Sequence, residues 1–404
     1  MVAHALAGGP SDTPEARWFR LRPRPGARGA TMVMDGSTYD VIIVGASFAG
    51  LAVASQLRAR VLLIDRFPVG AHTGSACGTL LAVPERLGVQ PSVLQVHRAL
   101  AFHTSDRTAV FDVARTPFCT FDYGRFCRGL ADALAGVDFL QATARGLEGD
   151  RVLTDDGVYR GSVLVDASGW SAVLARSLRP GFVDRGDLSF GIETEAPRRG
   201  YALCFWSDRG LVPKGVCWFF PVGEQTRVGV ASYAGDGHLR PHLDIFLDRL
   251  GLPRAAIHGG FFPAGLREPT VGNLFAVGDA AGQCLPLTGE GIRPALVFGQ
   301  ACGRIIQRVL DGHITVPEGL AAYRAQVLRY QNAYRLLRWF QDLLVKGRPW
   351  LTNPLIGRCA REPLRSWIER DYIALADPGQ LTRPLGRARG EQERVDAVAA
   401  LAWR

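Results

Sequence analysis

Residues Tyr39–Asp65 read YDVIIVGASFAGLAVASQLRARVLLID, and no other stretch restricts the fold as tightly. Val41–Val44 is a continuous apolar run, the pattern of a strand buried on both faces. Gly45-Ala-Ser-Phe-Ala-Gly50 follows at once, and Leu51–Leu57 reads as a helix. A second buried run, Val61–Ile64, ends in Asp65, twenty positions after Gly45. Strand, glycine turn, helix, strand and terminal acid at this spacing form the βαβ unit that binds dinucleotides. Gly45 allows the tight turn, and Gly50 allows close packing of helix on strand. The helix start, with Ser47, Phe48 and Ala49, aims N–H groups and a favourable dipole at a pyrophosphate. Ser47 replaces the usual middle glycine and is small enough not to block backbone approach. Asp65, followed by Arg66, can accept hydrogen bonds from a ribose. The alternative is an ordinary strand–turn–helix with a polar strand end.

The chain of 404 residues, 47% hydrophobic and 21% charged, has room for two or three domains and a large core. No apolar run is long enough to span a membrane, and no secretory signal is visible. Eight scattered cysteines without a C-x-x-C pair suggest reduced thiols in a cytoplasmic protein. No metal-ligand spacing stands out, so no metal is expected. The net charge of +9 suits an anionic partner such as a lipid surface or a phosphorylated substrate, or else sits in a tail. Residues 1–37, with arginines among prolines and glycines, read as a disordered extension. No recognition motif follows them, so no nucleic-acid partner is expected.

Further along, Arg66–Leu81 is a loop rich in small residues, including Gly70, Gly74, Cys77 and Gly78, suited to lie against a flat ligand. Phe121–Leu134 reads as a helix after its first turn, and Arg151–Arg160 as a hairpin around Asp156-Gly157. Val163–Asp166 is a buried strand running into Ala167-Ser168-Gly169. The period then changes. Leu188, Phe190 and Ile192 alternate with Ser189, Gly191 and Glu193, as in a half-buried strand. Tyr201–Trp206, Val216–Phe220 and Arg227–Ser232 predict the rest of an inserted antiparallel sheet. Leu243, Phe246, Leu247 and Leu250 predict a helix that Gly251 and Pro253 stop. Asn273–Gly303 returns to the first domain: the strand Leu274–Val277 ends at Gly278-Asp279, and Gly289–Gly291 opens a long helix at Ile292. From Pro317 onward, Leu320, Tyr323, Val327, Tyr330, Tyr334 and Leu337 predict one amphipathic helix of twenty-odd residues. The last thirty-odd residues show no usable pattern.

GASFAG with its terminal acid, DASG at Asp166–Gly169, and VGDAAG followed by PLTGEGI resemble the FAD-dependent oxidoreductases of the p-hydroxybenzoate hydroxylase fold. Ala76-Cys77-Gly78 and Cys217-Trp218-Phe219-Phe220-Pro221 are similar to the cysteine–glycine loop and the Y-x-W-x-F-P signature of the geranylgeranyl reductase branch. The resemblance spans roughly residues 38–310. It implies an α/β chain: a Rossmann-type FAD-binding domain with a parallel sheet (38–75, 118–180, 266–312), an inserted antiparallel substrate domain (76–117, 181–265) and a helical C-terminal region (313–404). It also implies that FAD meets Gly169, Gly278, Asp279, Gly289, Gly291 and Ile292, with the last helix start facing the flavin pyrimidine edge. The implied activity is reduction of C=C bonds in a hydrophobic, prenyl-type substrate. A monooxygenase or epoxidase on the same flavin, and a non-catalytic lipid escort, are the alternatives. The electron donor stays open among NAD(P)H, ferredoxin and reduced flavin. The pattern departs twice: Val216 stands at the signature tyrosine, and Tyr123 where the family has an arginine.

Cys77 either gates the site, takes part in protonation, or fills a crowded turn. Trp206, Trp218, Phe219, Phe220, Phe261 and Phe262 are core residues or the wall of an apolar tunnel. In the tunnel reading Trp218 acts at the reacting bond, and Trp206, Phe220 and Pro286 line the substrate. No buried Arg or His cluster is evident there. His72, His97 and His103 are candidate proton donors or surface residues, and Lys214 is the one lysine near the sheet for halogenase chemistry. Arg324, Arg329, Arg335, Arg338, Lys346 and Arg348, beside Leu336, Trp339 and Phe340, predict peripheral membrane contact or a helix packed on the core.

Overall fold

The computed structural model describes residues 38–385 except 73, 75, 348 and 360. The expected N-terminal extension and Arg348 lie outside them. The apolar runs of the opening motif become neighbouring strands of an eight-stranded sheet. Thr38–Val44 lies between Val61–Asp65 and Val158–Asp166, parallel to both. Leu274–Ala276 and Val137–Gln141 extend the parallel set on either side. Successive residues serve different cores: Val41 and Ile43 join one hydrophobic cluster, Ile42 and Val44 the other. A strand covered on both faces needs no polar alternation, which is why these runs are apolar throughout.

The helix after the glycine turn starts at once and covers Phe48–Ala54. It packs against the long helix Ile292–Leu310. A Cβ at Gly299 would lie 2.7 Å from the Cβ of Ala52, so the two axes approach as only glycine allows.

The second sheet has seven strands, in the order Ile257–Pro263, Leu188–Ala196, Gln225–Ser232, Gly215–Val222, Leu203–Ser207, Ala99–Thr104 and Thr108–Asp112. It is antiparallel except where Leu203–Ser207 runs parallel to Ala99–Thr104. The expectation of a half-buried strand at Leu188–Ala196 is corrected: Ser189 and Glu193 are buried along with Ile192. Helix Arg240–Leu250 covers one face of this sheet, and the other lines a cavity. A three-stranded sheet, Gly78–Leu80, Phe118–Phe121 and Val93–His97, completes the β-structure.

The single helix expected from Pro317 is two, Val316–Leu328 and Gln331–Lys346. The reason is a shared partner. The Tyr323 hydroxyl accepts from Gln283 Nε2 at 2.9 Å, and the Tyr334 hydroxyl donates to the Gln283 carbonyl at 2.6 Å. Eleven residues of straight helix would hold these tyrosines about 16 Å apart. The turn at Arg329–Tyr330 lets both converge and buries them, at 0% and 2% exposure. Helices Pro349–Cys359 and Leu364–Ala374 follow, within the C-terminal region expected to be helical. No helix among the described residues is long and apolar enough to cross a membrane.

Candidate active site

A cavity of about 1600 Å³ runs from the glycine turn, past the inner face of the second sheet, to the C-terminal helices. Its first end is built from backbone. Gly45 takes φ +110°, and a Cβ there would fall 2.1 Å from the Ala167 carbonyl oxygen, so the turn can lie only where it does. Asp65 accepts from the N–H of Ala46 at 2.8 Å and of Phe67 at 2.9 Å, which fixes its carboxylate at the strand end. Gly45, Ser47, Phe48, Ala49, Asp65 and Arg66 line this end, joined by Gly169, Gly278, Asp279, Gly289, Gly291 and Ile292 from the other crossings. Gly50 is not on the wall. It lies beneath the turn, where a Cβ would meet the Gly45 carbonyl oxygen at 1.8 Å.

These residues fit a dinucleotide. Neither the helix at Ser47 nor that at Gly291 has a side-chain cap, so N–H groups at both starts are left for a ligand. Asp279 is half-buried, and its carboxylate accepts no hydrogen bond among the described residues. Burial pushes its pKa up to about 6, against the pull of Arg267. A hydroxyl-bearing ligand would satisfy it. Arg267 donates to the carbonyls of Trp170 and Asp279, at 3.0 and 3.1 Å, and holds the turn. Tyr123, at the arginine position of the resemblance, donates to Ser47 Oγ at 2.9 Å and packs edge-on to Phe48 at 5.4 Å. Burial holds its hydroxyl well above the ordinary range, so it stays a neutral donor.

The second wall is built from side chains. Strand register places Phe205, Trp218, Gly229, Glu193 and His258 in one row across five strands. The row is closed by an absence: a Cβ at Gly229 would lie 2.0 Å from Trp218 Cζ2. The indole crosses this gap, and its N–H donates to Glu193 Oε2 at 2.6 Å. Burial pushes the Glu193 carboxyl up to about 7, while the Trp218 hydrogen bond and the Arg227 charge pull it down. His258 Nε2 lies 3.5 Å from Glu193 Oε1. Burial, then the Arg227 charge, lowers the His258 pKa. Arg227 donates to Glu195 at 3.1 Å and to the carbonyls of Ala76 and Phe121, at 3.2 and 3.1 Å. Those carbonyls flank Cys77, which is 1% exposed, lines the cavity and takes φ +53°. For a residue other than glycine such a backbone costs on the order of 1 kcal/mol or more. Gly78 is pressed on Phe220, with 2.9 Å between a hypothetical Cβ and the ring.

The patch holds one buried acid, Glu193, beside a half-buried Arg227 and a His258 whose side chain is one-third exposed, a grouping that the sequence did not reveal. Glu193 was hidden because it alternates with apolar neighbours like any outward-facing residue. Its carboxylate became visible only when the strand proved to be covered on both faces. Trp206 is also corrected. Trp218, Phe220, Phe205 and Phe261 line the cavity, but Trp206 points to the opposite face, stacked on His103 at 4.5 Å and edge-on to Phe246 at 5.0 Å. Strand alternation demands this once Phe205 faces inward. Phe219 joins the core beneath helix Arg240–Leu250. Pro286 is buried off the wall, which its neighbour Leu287 lines instead. His72 reaches the cavity, whereas His97 is buried against Thr120 and His103 lies outside it. Lys214 is exposed and off the wall.

The C-terminal helices form an apolar roof that includes Leu337, Phe340, Leu344 and Ile368. A latch that the sequence did not reveal fixes it. Arg293, fully buried, donates to Glu290 at 2.8 and 2.9 Å and to the carbonyls of Ile373 and Ala376 at 2.8 and 3.0 Å. The Tyr372 hydroxyl bonds Glu290 and, at 3.2 Å, Thr288. The roof is thereby tied to the turn that carries Gly289 and Gly291.

No family profile matches the chain. It is 26% identical over 334 residues to digeranylgeranylglycerophospholipid reductase 1 of Methanopyrus kandleri, covering 74% of this chain and 87% of the relative. Its fold matches a geranylgeranyl bacteriochlorophyll reductase-like protein of Thermoplasma acidophilum, with a TM-score of 0.74 and 18% identity over 85% of this chain and 97% of the other. It also matches a probable FAD-dependent monooxygenase of Pseudomonas aeruginosa, with a TM-score of 0.60 and 18% identity over 80% and 99% of the two chains.

Proposed function

We propose that this FAD-dependent oxidoreductase, of the p-hydroxybenzoate hydroxylase fold and similar to the geranylgeranyl reductases, saturates isolated C=C bonds of a prenyl-type lipid. The observation that carries the reading is the shape and lining of the cavity. From the nucleotide end it continues into an apolar space walled by Phe205, Trp218, Phe220 and Phe261 and roofed by Leu337, Phe340 and Leu344. A flat, extended hydrophobe fits such a space, and a small polar substrate does not. The Methanopyrus kandleri relative is named for a lipid that bears two geranylgeranyl chains, which supports the same substrate class.

FAD bound in this cavity would supply a hydride. The N–H groups at Ser47–Ala49 and the Asp65 carboxylate would hold its nucleotide half, and Asp279 would accept from its hydroxyls. The start of helix Ile292–Leu310, opened by Gly289 and Gly291, would offer it a positive potential that favours negative charge on the reduced ring. Gly169 and Gly278 allow close backbone approach, and Cys77 and Gly78 shape the wall between nucleotide and substrate. Trp218 and Phe220 position the alkene, and the roof keeps water away. With oxygen excluded, chemically reduced protein should convert a geranylgeranyl lipid to a product heavier by two hydrogens, read by mass spectrometry. Turnover that requires O₂ and adds one oxygen atom would replace this reading with a monooxygenase. A protein that carries no flavin and only binds the lipid would make it an escort.

A further inference from the structure

Saturating an isolated alkene consumes a hydride and a proton, and a prenyl chain brings no acidic proton of its own. The cavity contains one buried acid suited to provide it. Glu193 has a side chain only 4% exposed, in a wall whose other inward-facing side chains on this sheet are mostly aromatic and aliphatic. One oxygen is fixed by the Trp218 indole, while Oε1 is buried with no hydrogen-bond partner among the described residues. A carboxylate left in that state is costly, and the protonated form removes the cost.

We infer that Glu193 is the acid that protonates the substrate carbon, held in place by Trp218 and reprotonated from the solvent side through His258. The inference rests on the reductase reading above. The addition balances. The alkene π pair forms a C–H bond with the Glu193 proton, and the O–H electrons stay on the carboxylate. The other carbon is closed by the hydride, which brings its own electron pair. The proton is then restored from solvent through His258, which is one-third exposed and 3.5 Å from Oε1. The remaining charged neighbours suit the task. Arg227, on the adjacent strand, stabilises the carboxylate left behind, while Glu195 engages the Arg227 guanidinium. His72, which also lines the cavity, adds a charge that opposes protonation of His258.

Trp218 makes the acid observable without flavin or substrate. Its indole ¹⁵N–¹H signal, assigned by its loss in Trp218→Phe, should titrate with a midpoint near 7 in the wild-type protein and be flat in Glu193→Gln. In the FAD-loaded enzyme, Glu193→Gln should lower turnover ~100-fold or more, the scale of a general acid. Flavin content should not change, and Glu193→Asp should restore part of the rate. A Trp218 signal that does not move between about pH 5 and about 9, or that still titrates in Glu193→Gln, overturns the assignment. So does Glu193→Gln turnover within about threefold of wild type. If the wild-type protein titrates as expected but saturates no prenyl lipid, the function fails and takes the proton's destination with it. If wild type is active and Glu193→Gln is equally active, only the proton donor fails.

Discussion

The two ends of the cavity are made by different means. At the nucleotide end, main-chain turns at Gly45, Gly278 and Gly289 carry the geometry; Asp279 adjoins its own turn, and Asp65 reaches the Gly45 turn from the end of the neighbouring strand. At the substrate end, side chains from five strands meet in one row, and Arg227 reaches a carbonyl 151 positions away. The first construction depends on local backbone conformation. The second depends on strand register, because a one-residue slip would turn Trp218, Glu193 and His258 to the opposite face. Damage to the first should therefore cost cofactor and stability together, whereas damage to the second should cost chemistry and leave the cofactor in place.

The largest effect should come from Gly45→Ala. Its Cβ would meet backbone, at 2.1 Å from the Ala167 carbonyl oxygen, at φ +110°, so no side chain can move to relieve it. A loss of about 3 kcal/mol or more in denaturant unfolding is expected, together with loss of FAD on gel filtration. Flavin-loaded protein of wild-type stability would break the comparison at its first term.

Gly229→Ala should be milder and more selective. The new methyl group would meet the Trp218 ring at 2.0 Å and the Ile192 carbonyl oxygen at 2.7 Å, so it would displace the ring, break its bond to Glu193 and cost some stability as well. FAD content should stay at the wild-type level while turnover falls at least about tenfold, on the scale of one misplaced catalytic group. Equal loss of flavin and activity would show that the two ends are not separable.

Proton linkage sharpens the contrast further. The folded chain holds the Glu193 proton up to about pH 7, against an ordinary value of 4.5. The stability tied to it is present below about 4.5 and lost as the pH rises through about 7, on the order of 3 kcal/mol at most. Asp279 is raised in the same sense, to about 6, so wild type must be compared with Glu193→Gln under identical conditions. The variant should flatten the decline between about pH 5 and about 7 in flavin-free protein. Parallel curves would mean that Glu193 ionises as freely in the fold as outside it.

The smallest effect concerns the outer roof. Trp339 is exposed and off the cavity wall, while its neighbours Leu336, Leu337 and Phe340 line the cavity, Leu336 at its exposed edge. Part of the basic charge is already committed: Arg338 pairs with Asp187 and Asp342, Lys346 with Asp342, and Arg324 with Glu268. Weak, salt-sensitive binding to anionic vesicles is expected from what remains, reduced severalfold by Trp339→Ser with flavin content intact. No difference between Trp339→Ser and wild type in vesicle flotation at low salt would remove membrane contact from the reading.

Much of the parallel sheet was legible in advance, because strands covered on both faces are written as unbroken apolar runs. Asp65 and Asp279 were legible for the same reason: each follows such a run directly. Glu193 was not. Alternation along Leu188–Glu193 reports that two faces exist but not what covers the second one. The inward turn of Trp218 and the outward turn of Trp206 depended on which face of the sheet met the cavity. The break at Arg329–Tyr330 was equally hidden, since a 3–4 spacing continues smoothly through it. It appears only because Gln283 stands where two tyrosines can share it.

By itself, then, the sequence determined the nucleotide-binding turn, the parallel core around it and the dinucleotide-sized approach of backbone to ligand, because these arise from neighbouring residues and from φ values that only glycine takes readily. The tertiary structure alone decided that Phe205, Trp218, Gly229, Glu193 and His258 form one wall and that Arg293 locks a helical roof over it. Those placements come from strand register and from burial by distant segments, and burial is also what turns an ordinary glutamate into an acid that keeps its proton near neutral pH.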